Sequence, residues 1–165
     1  QGLFNSILRF VGIAPQGFLE DPNQAIFCIV AATVWRYIGF NVVIFLAGLK
    51  NIPKMYYDAA KVDGASSWQM FKKVTLPLLN PTILVLAVMN TIYYLRIFTQ
   101  VLNMTQQGLG GPFNSTKSLT LYLYEQGFRN FNMGYASAVT LVLFILIMIV
   151  TLLQFRYVQR DVSYY

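Results

Sequence analysis

The chain of 165 residues has no histidine, one cysteine and six acidic side chains. Those carboxylates (Glu20, Asp21, Asp58, Asp63, Glu125 and Asp161) lie away from the long apolar runs. An acid–base pair is therefore hard to assemble, and an embedded enzyme is the least favoured class. The lone Cys28 excludes a disulfide within the chain and, with histidine absent, a Cys/His metal site. It sits in an apolar run and reads as a small buried hydrophobe. Charged residues make up 11% of the sequence, less than half of the roughly 25% usual for soluble domains. The net charge of +6 comes from scattered Lys and Arg with no dense basic run, which argues against nucleic-acid binding. No G-x-x-x-x-G-K-[ST] loop is present to cradle phosphates. The chain opens on Gln1 with neither an initiator Met nor a signal-peptide pattern, so it reads as part of something longer.

What is abundant is apolar sequence in long blocks: 56% of residues are hydrophobic. About 20 helical residues cross a bilayer core. Three segments qualify, and they predict an all-α, polytopic transmembrane helical bundle. The spans are 25–49, containing Arg36 and Asn41; 78–102, containing Asn90 and Arg96; and 135–156, in which Val139–Leu153 has only Thr140 and Thr151 as polar residues. The connections are punctuated by Pro53, Gly64 and Pro77, and by Gly108, Gly110, Gly111 and Pro112.

Lys and Arg near the span ends give the orientation. Seven (Lys50, Lys54, Lys61, Lys72, Lys73, Arg156 and Arg160) lie on one side, against Arg9, Lys117 and Arg129 on the other. Residues 50–77 and the tail 157–165 are thus expected in the cytoplasm, with 1–24 and 103–134 facing outward.

The cytoplasmic loop is the most informative stretch. Its pattern predicts two short helices meeting at a glycine. Pro53 suits a first turn, and Met55, Ala59 and Val62 share a face. Ala59 and Ala60 allow close approach by a partner, and Gly64 ends the first helix with positive φ. Ser66 and Gln69 form a capping box for the second helix, and Trp68, Phe71 and Val74 give it an apolar stripe. Taken alone, such a hairpin could equally be an amphipathic loop lying on the bilayer.

The offsets are more specific. Asp58-Ala59-Ala60, Gly64, Val74 and Leu76-Pro77 fall without gaps on a motif reading Glu-Ala-Ala, three residues, Gly, nine residues, Ile, one residue, Leu-Pro. The loop thereby resembles the EAA motif of binding-protein-dependent ABC importer permeases, with Asp for Glu at 58 and Val for Ile at 74. Asp63 and Ala65 also fit. Leu46-Ala47-Gly48-Leu49 with Ile52-Pro53, Gly110-Gly111-Pro112 with Thr116, and Gly134-Tyr135-Ala136-Ser137-Ala138 resemble the sugar-permease group. The ending Gln154-Phe155-Arg156-Tyr157-Val158 is similar to its glycerol-3-phosphate branch. An insertion-like Gln106-Gln107-Gly108-Leu109 departs from the pattern.

The resemblance implies a type I importer fold. Such permeases usually have about six spans, so three more are expected before Gln1. It implies a coupling helix gripped by an ABC ATPase subunit dimer that binds ATP and magnesium, with no cofactor, metal or catalytic residue in this chain. It assigns coupling contacts to Tyr57, Asp58, Ala59, Ala60, Asp63, Gly64, Ala65, Trp68, Phe71, Leu76 and Pro77. By similarity to maltose-type permeases it places Arg36, Tyr37, Phe40, Tyr94, Arg96 and Ile97 on the solute pathway. Arg36, about 16 Å into its span, is costly there unless it faces protein or water. Arg96, nearer a span end, could equally snorkel to the headgroups. The implied partners are a second permease subunit, an extracytoplasmic solute-binding protein and the lipid of a bacterial or archaeal cytoplasmic membrane. The implied solute is a carbohydrate or a glycerol-phosphate. The alternatives are a related permease for another solute, or a channel or structural subunit without an ATPase. A short outer helix is expected around 118–127.

Overall fold

In the computed structural model, residues 2–105 and 110–158 are described, for Tyr157 and Val158 only the backbone. Among these residues the structure is helices joined by turns, with no strand. A short amphipathic helix, α1 (Leu3–Phe10), leads to the first long helix, α2 (Pro22–Lys50). Helix α2 begins three residues before the expected span because Asp21 caps it, accepting from the Asn23 N–H, and Pro22 fills the first turn. The Asn5 side chain holds α1 against the entry to α2 by pairing with both backbone groups of Gln16 (3.0 and 2.9 Å).

The hairpin follows as α3 (Lys54–Val62) and α4 (Ser67–Met70), a π-helical turn over Phe71–Thr75, and α5 (Leu76–Leu78). Pro53 stands just before α3, in extended conformation, rather than in its first turn. Helix α6 (Asn80–Leu95) is bent by 62° from the helix that precedes it. Pro81 explains the bend: it has no N–H for the Pro77 carbonyl four residues back, and its ring crowds that carbonyl. Pro77 in turn withdraws a donor from the carbonyl of Lys73, inside the π turn.

The expectation of one continuous span over 78–102 needs correction. Helix α6 stops at Leu95, Phe98 leaves the helical region (φ −133°, ψ −61°), and α7 (Thr99–Met104) starts afresh. Sixteen residues rise only about 24 Å, short of the roughly 30 Å hydrocarbon core, so α6 needs its flanking helices to cross. Helix α8 (Leu119–Tyr124) is capped by Ser118 and runs into a second π turn, Glu125–Arg129. The last helix, α9 (Met133–Val158), is 26 residues long. Among the described residues two helices are long and apolar enough to cross a membrane, and a third crossing follows if the bent pair counts as one.

Helices α2 and α6 pack antiparallel, with Gly48 against Thr82, Asn41 against Asn90 (3.2 Å) and Tyr37 against Tyr93. Helix α9 packs on α6, where the Gln154 amide donates to Thr91 Oγ1 at 2.6 Å. The buried cluster is small: Ile29 of α2, Val101 of α7 and Leu121 of α8. Trp35 is 83% exposed and Phe27 72%. Such wide apolar exposure suits faces turned to lipid or to further helices. Cys28 is half-buried rather than buried.

Candidate functional site

Two regions at opposite ends of α6 gather the candidate residues. The first is the hairpin. Gly64 adopts φ +72°, a conformation costly for other residues, and so reverses the chain after α3. The capping box forms as expected: Ser66 Oγ accepts from the Gln69 N–H, and the Gln69 carboxamide oxygen accepts from the Ser66 N–H. Ala60, Asp63, Gly64, Ala65 and Val74 line a notch of about 380 Å³ with Gln69, Met70 and Lys73. Asp58 is exposed and lies 3.8 Å from Lys61, an ion pair worth little in water. Ala59 is exposed, as are Leu76 and Pro77 at the bend. Trp68 and Phe71 stack at 5.6 Å on the hairpin surface, Trp68 being 70% exposed. A rigid, small-residue knob with exposed aromatics results.

Tyr57 does something the sequence pattern did not reveal. Its hydroxyl meets Thr75 Oγ1 at 3.0 Å, joining α3 to the buried end of the π turn. The hairpin is therefore braced directly against the start of the bent span.

The second region lies where α6 breaks. A polar cavity of about 240 Å³ is lined by Thr33, Arg36 and Tyr37 of α2, Ile92 and Tyr93 of α6, and residues 96–100. Arg36, Tyr37, Arg96 and Ile97 are thus brought together. Phe40 lies outside the cavity, and Tyr94 lines a neighbouring apolar cavity of about 460 Å³ with Ile97, Ile29 and Val101. Tyr37 stacks on Tyr93 at 5.4 Å and meets Tyr94 edge-on at 6.3 Å. The Arg36 guanidinium lies 5.7 Å from the Tyr37 ring centroid. Sequence reasoning missed Tyr93, although it precedes Arg96 by three residues and so shares its helical face. Thr33, Thr99 and Gln100 were also missed. Thr33 was legible by the same spacing from Arg36, whereas Thr99 and Gln100 enter only because the helix breaks. The arrangement offers two forked cations, aromatic faces and hydroxyls around one small volume, a set suited to a hydroxylated or anionic small molecule.

Beside this cavity the segment that follows α7 is held by Lys117, which pairs with Glu125 at 2.7 Å with both side chains about one-fifth exposed. Beyond the break, Tyr122 donates to the Tyr135 hydroxyl at 3.4 Å. That bond, followed by desolvation and the nearby Tyr135 and Glu125 charges, pushes the Tyr122 phenol above its ordinary 10.0. Residues 106–109, the insertion-like departure in this loop, and Arg160 in the tail lie outside the described residues. Among the described residues no group of three or more Cys, Asp or Glu side chains could hold a metal.

A helical chain with a braced hairpin at one end and a polar cavity beside a broken span at the other is built as a membrane transport component. Residues 3–164 match the binding-protein-dependent transport system inner membrane component family, and the chain belongs to that family. It is 40% identical over 163 residues to the lactose transport system permease protein LacF of Rhizobium radiobacter, covering 97% of this chain and 54% of that protein. It is 38% identical to the sn-glycerol-3-phosphate transport system permease protein UgpA of Agrobacterium fabrum, covering 99% of this chain and 55% of that one. The chain thus spans about half the length of the curated relatives it matches. Among solved structures it superposes with a TM-score of 0.84 at 25% identity on a bacterial ABC transporter involved in the import of the acidic polysaccharide alginate. That match covers 99% of this chain and 56% of the other.

Proposed function

We propose that the chain forms part of a permease subunit in an ATP-driven, binding-protein-dependent importer, and that its solute is a carbohydrate or a glycerol-phosphate. The observation that carries this reading is the hairpin over 53–77. It presents Asp58, Ala59, Ala60, Gly64, Trp68 and Phe71 as a compact knob, and the Tyr57–Thr75 bond braces it against the second span. A partner that grips the knob can move the span, which a flexible surface loop could not transmit.

On this reading the hairpin and the tail are cytoplasmic, as the Lys and Arg distribution requires. An ABC ATPase dimer binds ATP and magnesium and seats the knob. A second permease subunit completes the pathway, and an extracytoplasmic solute-binding protein delivers solute to the outer loops. The subunit transports rather than catalyses. It resides in the cytoplasmic membrane of a bacterium or archaeon.

The complete permease should co-purify with its ATPase, whose turnover rises when the loaded binding protein is added. Replacing Ala60 or Gly64 by Phe should abolish both. Unchanged assembly and uptake in those variants would defeat the proposal.

The placement of Arg36 and Arg96 on one cavity favours an anionic or acidic solute within that class. Vesicle uptake of lactose against sn-glycerol 3-phosphate tests it. Arg36→Ala and Arg96→Ala should each reduce uptake of the preferred probe, and wild-type uptake by both variants would remove these side chains from the pathway.

A further inference from the structure

We propose that Ser118 is a positioning residue for the polar cavity, fixing the shape of the wall formed by residues 96–100 from outside the span. This rests on the reading of that cavity as the solute site.

A helix that stops leaves carbonyls without their usual N–H four residues on. At the break after Leu95, the chain turns through Arg96 and Ile97 and restarts at Thr99. The Ile97 carbonyl accepts from Ser118 Oγ at 2.6 Å, across 21 residues of sequence. Ser118 Oγ itself accepts the Leu121 N–H at 3.1 Å and caps α8. A serine hydroxyl has one proton to give, and here it is given to Ile97 while a lone pair serves the cap. Ser118 therefore ties the first turn of the outer helix to the middle of the broken span.

Three further contacts keep that tie in place. Leu121 is buried with Ile29 and Val101, so α8 is seated on both α2 and α7. Phe98 packs on Tyr124 at 5.1 Å. Lys117, next in sequence, is locked to Glu125. Ile97 lines both cavities and adjoins Arg96, so displacing its carbonyl displaces the wall that carries Arg96, Phe98, Thr99 and Gln100. Any partner that moves α8 from the outer side acts on the cavity through this bond.

Three variants of the complete permease, assembled with its partner subunits in lipid nanodiscs or vesicles, separate the tie from the cap. Ser118→Thr keeps donor and cap. Ser118→Asp keeps a capping acceptor but has no proton to donate at neutral pH. Ser118→Ala loses both. Amide hydrogen exchange over 99–104 should quicken about fivefold in the Asp and Ala variants, the scale of one lost hydrogen bond, and stay within about twofold in the Thr variant. Uptake of lactose or sn-glycerol 3-phosphate per ATP hydrolysed should fall about fivefold in the Asp variant, with assembly and basal ATP hydrolysis unchanged. Unaltered exchange in the Asp variant overturns the proposal. So does faster exchange with undiminished uptake per ATP, which would leave Ser118 as a helix cap alone. Failure of the wild-type complex to take up either probe would instead count against the importer reading, and the exchange measurement needs no solute.

Discussion

Gly48 is the tightest point in the contact between α2 and α6, and it makes the packing testable. A Cβ built there would lie 2.6 Å from Thr82 Oγ1, 2.9 Å from Thr82 Cγ2 and 3.1 Å from Leu79 Cδ2. Rotating Thr82 about χ1 does not clear the space. Two of its three Cβ substituents face Gly48, and every staggered position keeps at least one heavy atom there. Gly48→Ala therefore forces the helices apart, at a cost of about 1–3 kcal/mol for overpacking. Helix propensity acts in the opposite direction, by at most about 1 kcal/mol. The clash should win, with a net loss of roughly 1–2 kcal/mol, or about 1–4 °C in melting temperature for a permease about twice this chain's length. Gly39, on the same helix, is the control: nothing lies within 4 Å of its Cβ position, so Gly39→Ala should be neutral or mildly stabilising. Thr82→Ala removes the two closest atoms and should restore most of the loss caused by Gly48→Ala. The assay is thermal unfolding of the complete permease in detergent. If Gly48→Ala melts with Gly39→Ala, or if Thr82→Ala fails to rescue it, the close crossing is wrong.

The Tyr57–Thr75 brace should appear in a double-mutant cycle. Tyr57→Phe and Thr75→Val each lower hairpin stability by about 1 kcal/mol, while the double variant loses little more than either, and stimulated ATP hydrolysis reports the uncoupling. Gln154 predicts an asymmetry, because its Oε1 is buried without a partner while its amide donates to Thr91. Gln154→Leu removes both groups and should cost under about 1 kcal/mol, whereas Thr91→Val leaves the amide only its 3.5 Å contact with the Ala87 carbonyl and should cost about 1–2 kcal/mol in the same thermal assay. Tyr122 titrates above 10.0, so the stability it contributes is present below that pH and is lost as pH rises through its raised value. Tyr135→Phe leaves a ring that cannot accept its proton, and NMR of ring-labelled tyrosine should place the Tyr122 midpoint closer to 10.0.

The hairpin was legible almost residue by residue. Ser66 with Gln69, Gly64 and the Pro77–Pro81 pair act through neighbours within four positions, so the local string carries their geometry. The polar cavity was half legible. Arg36 and Arg96 stood out because a charge within an apolar run demands a partner or water. Tyr93 was passed over for Tyr94, its neighbour on another face of the helix. Phe40, a turn further along α2, is half-exposed and does not line the cavity. The break at 96–98 was not legible at all. Leu95, Ile97 and Phe98 continue the apolar run without a proline or glycine, and the hydroxyl that meets the Ile97 carbonyl lies 21 residues away.

By itself the amino-acid string determined that the chain is helical, that it crosses a membrane and how its basic loop turns. Period, charge bias, proline and glycine are local quantities, summed over a few turns. Only the tertiary structure decided that the second span is interrupted, that Ser118 satisfies the Ile97 carbonyl, that Tyr57 reaches Thr75, and that Tyr37 faces Tyr93. Each of these depends on the rotation of one helix against another, and that rotation is set by where side chains such as Thr82 find room beside Gly48.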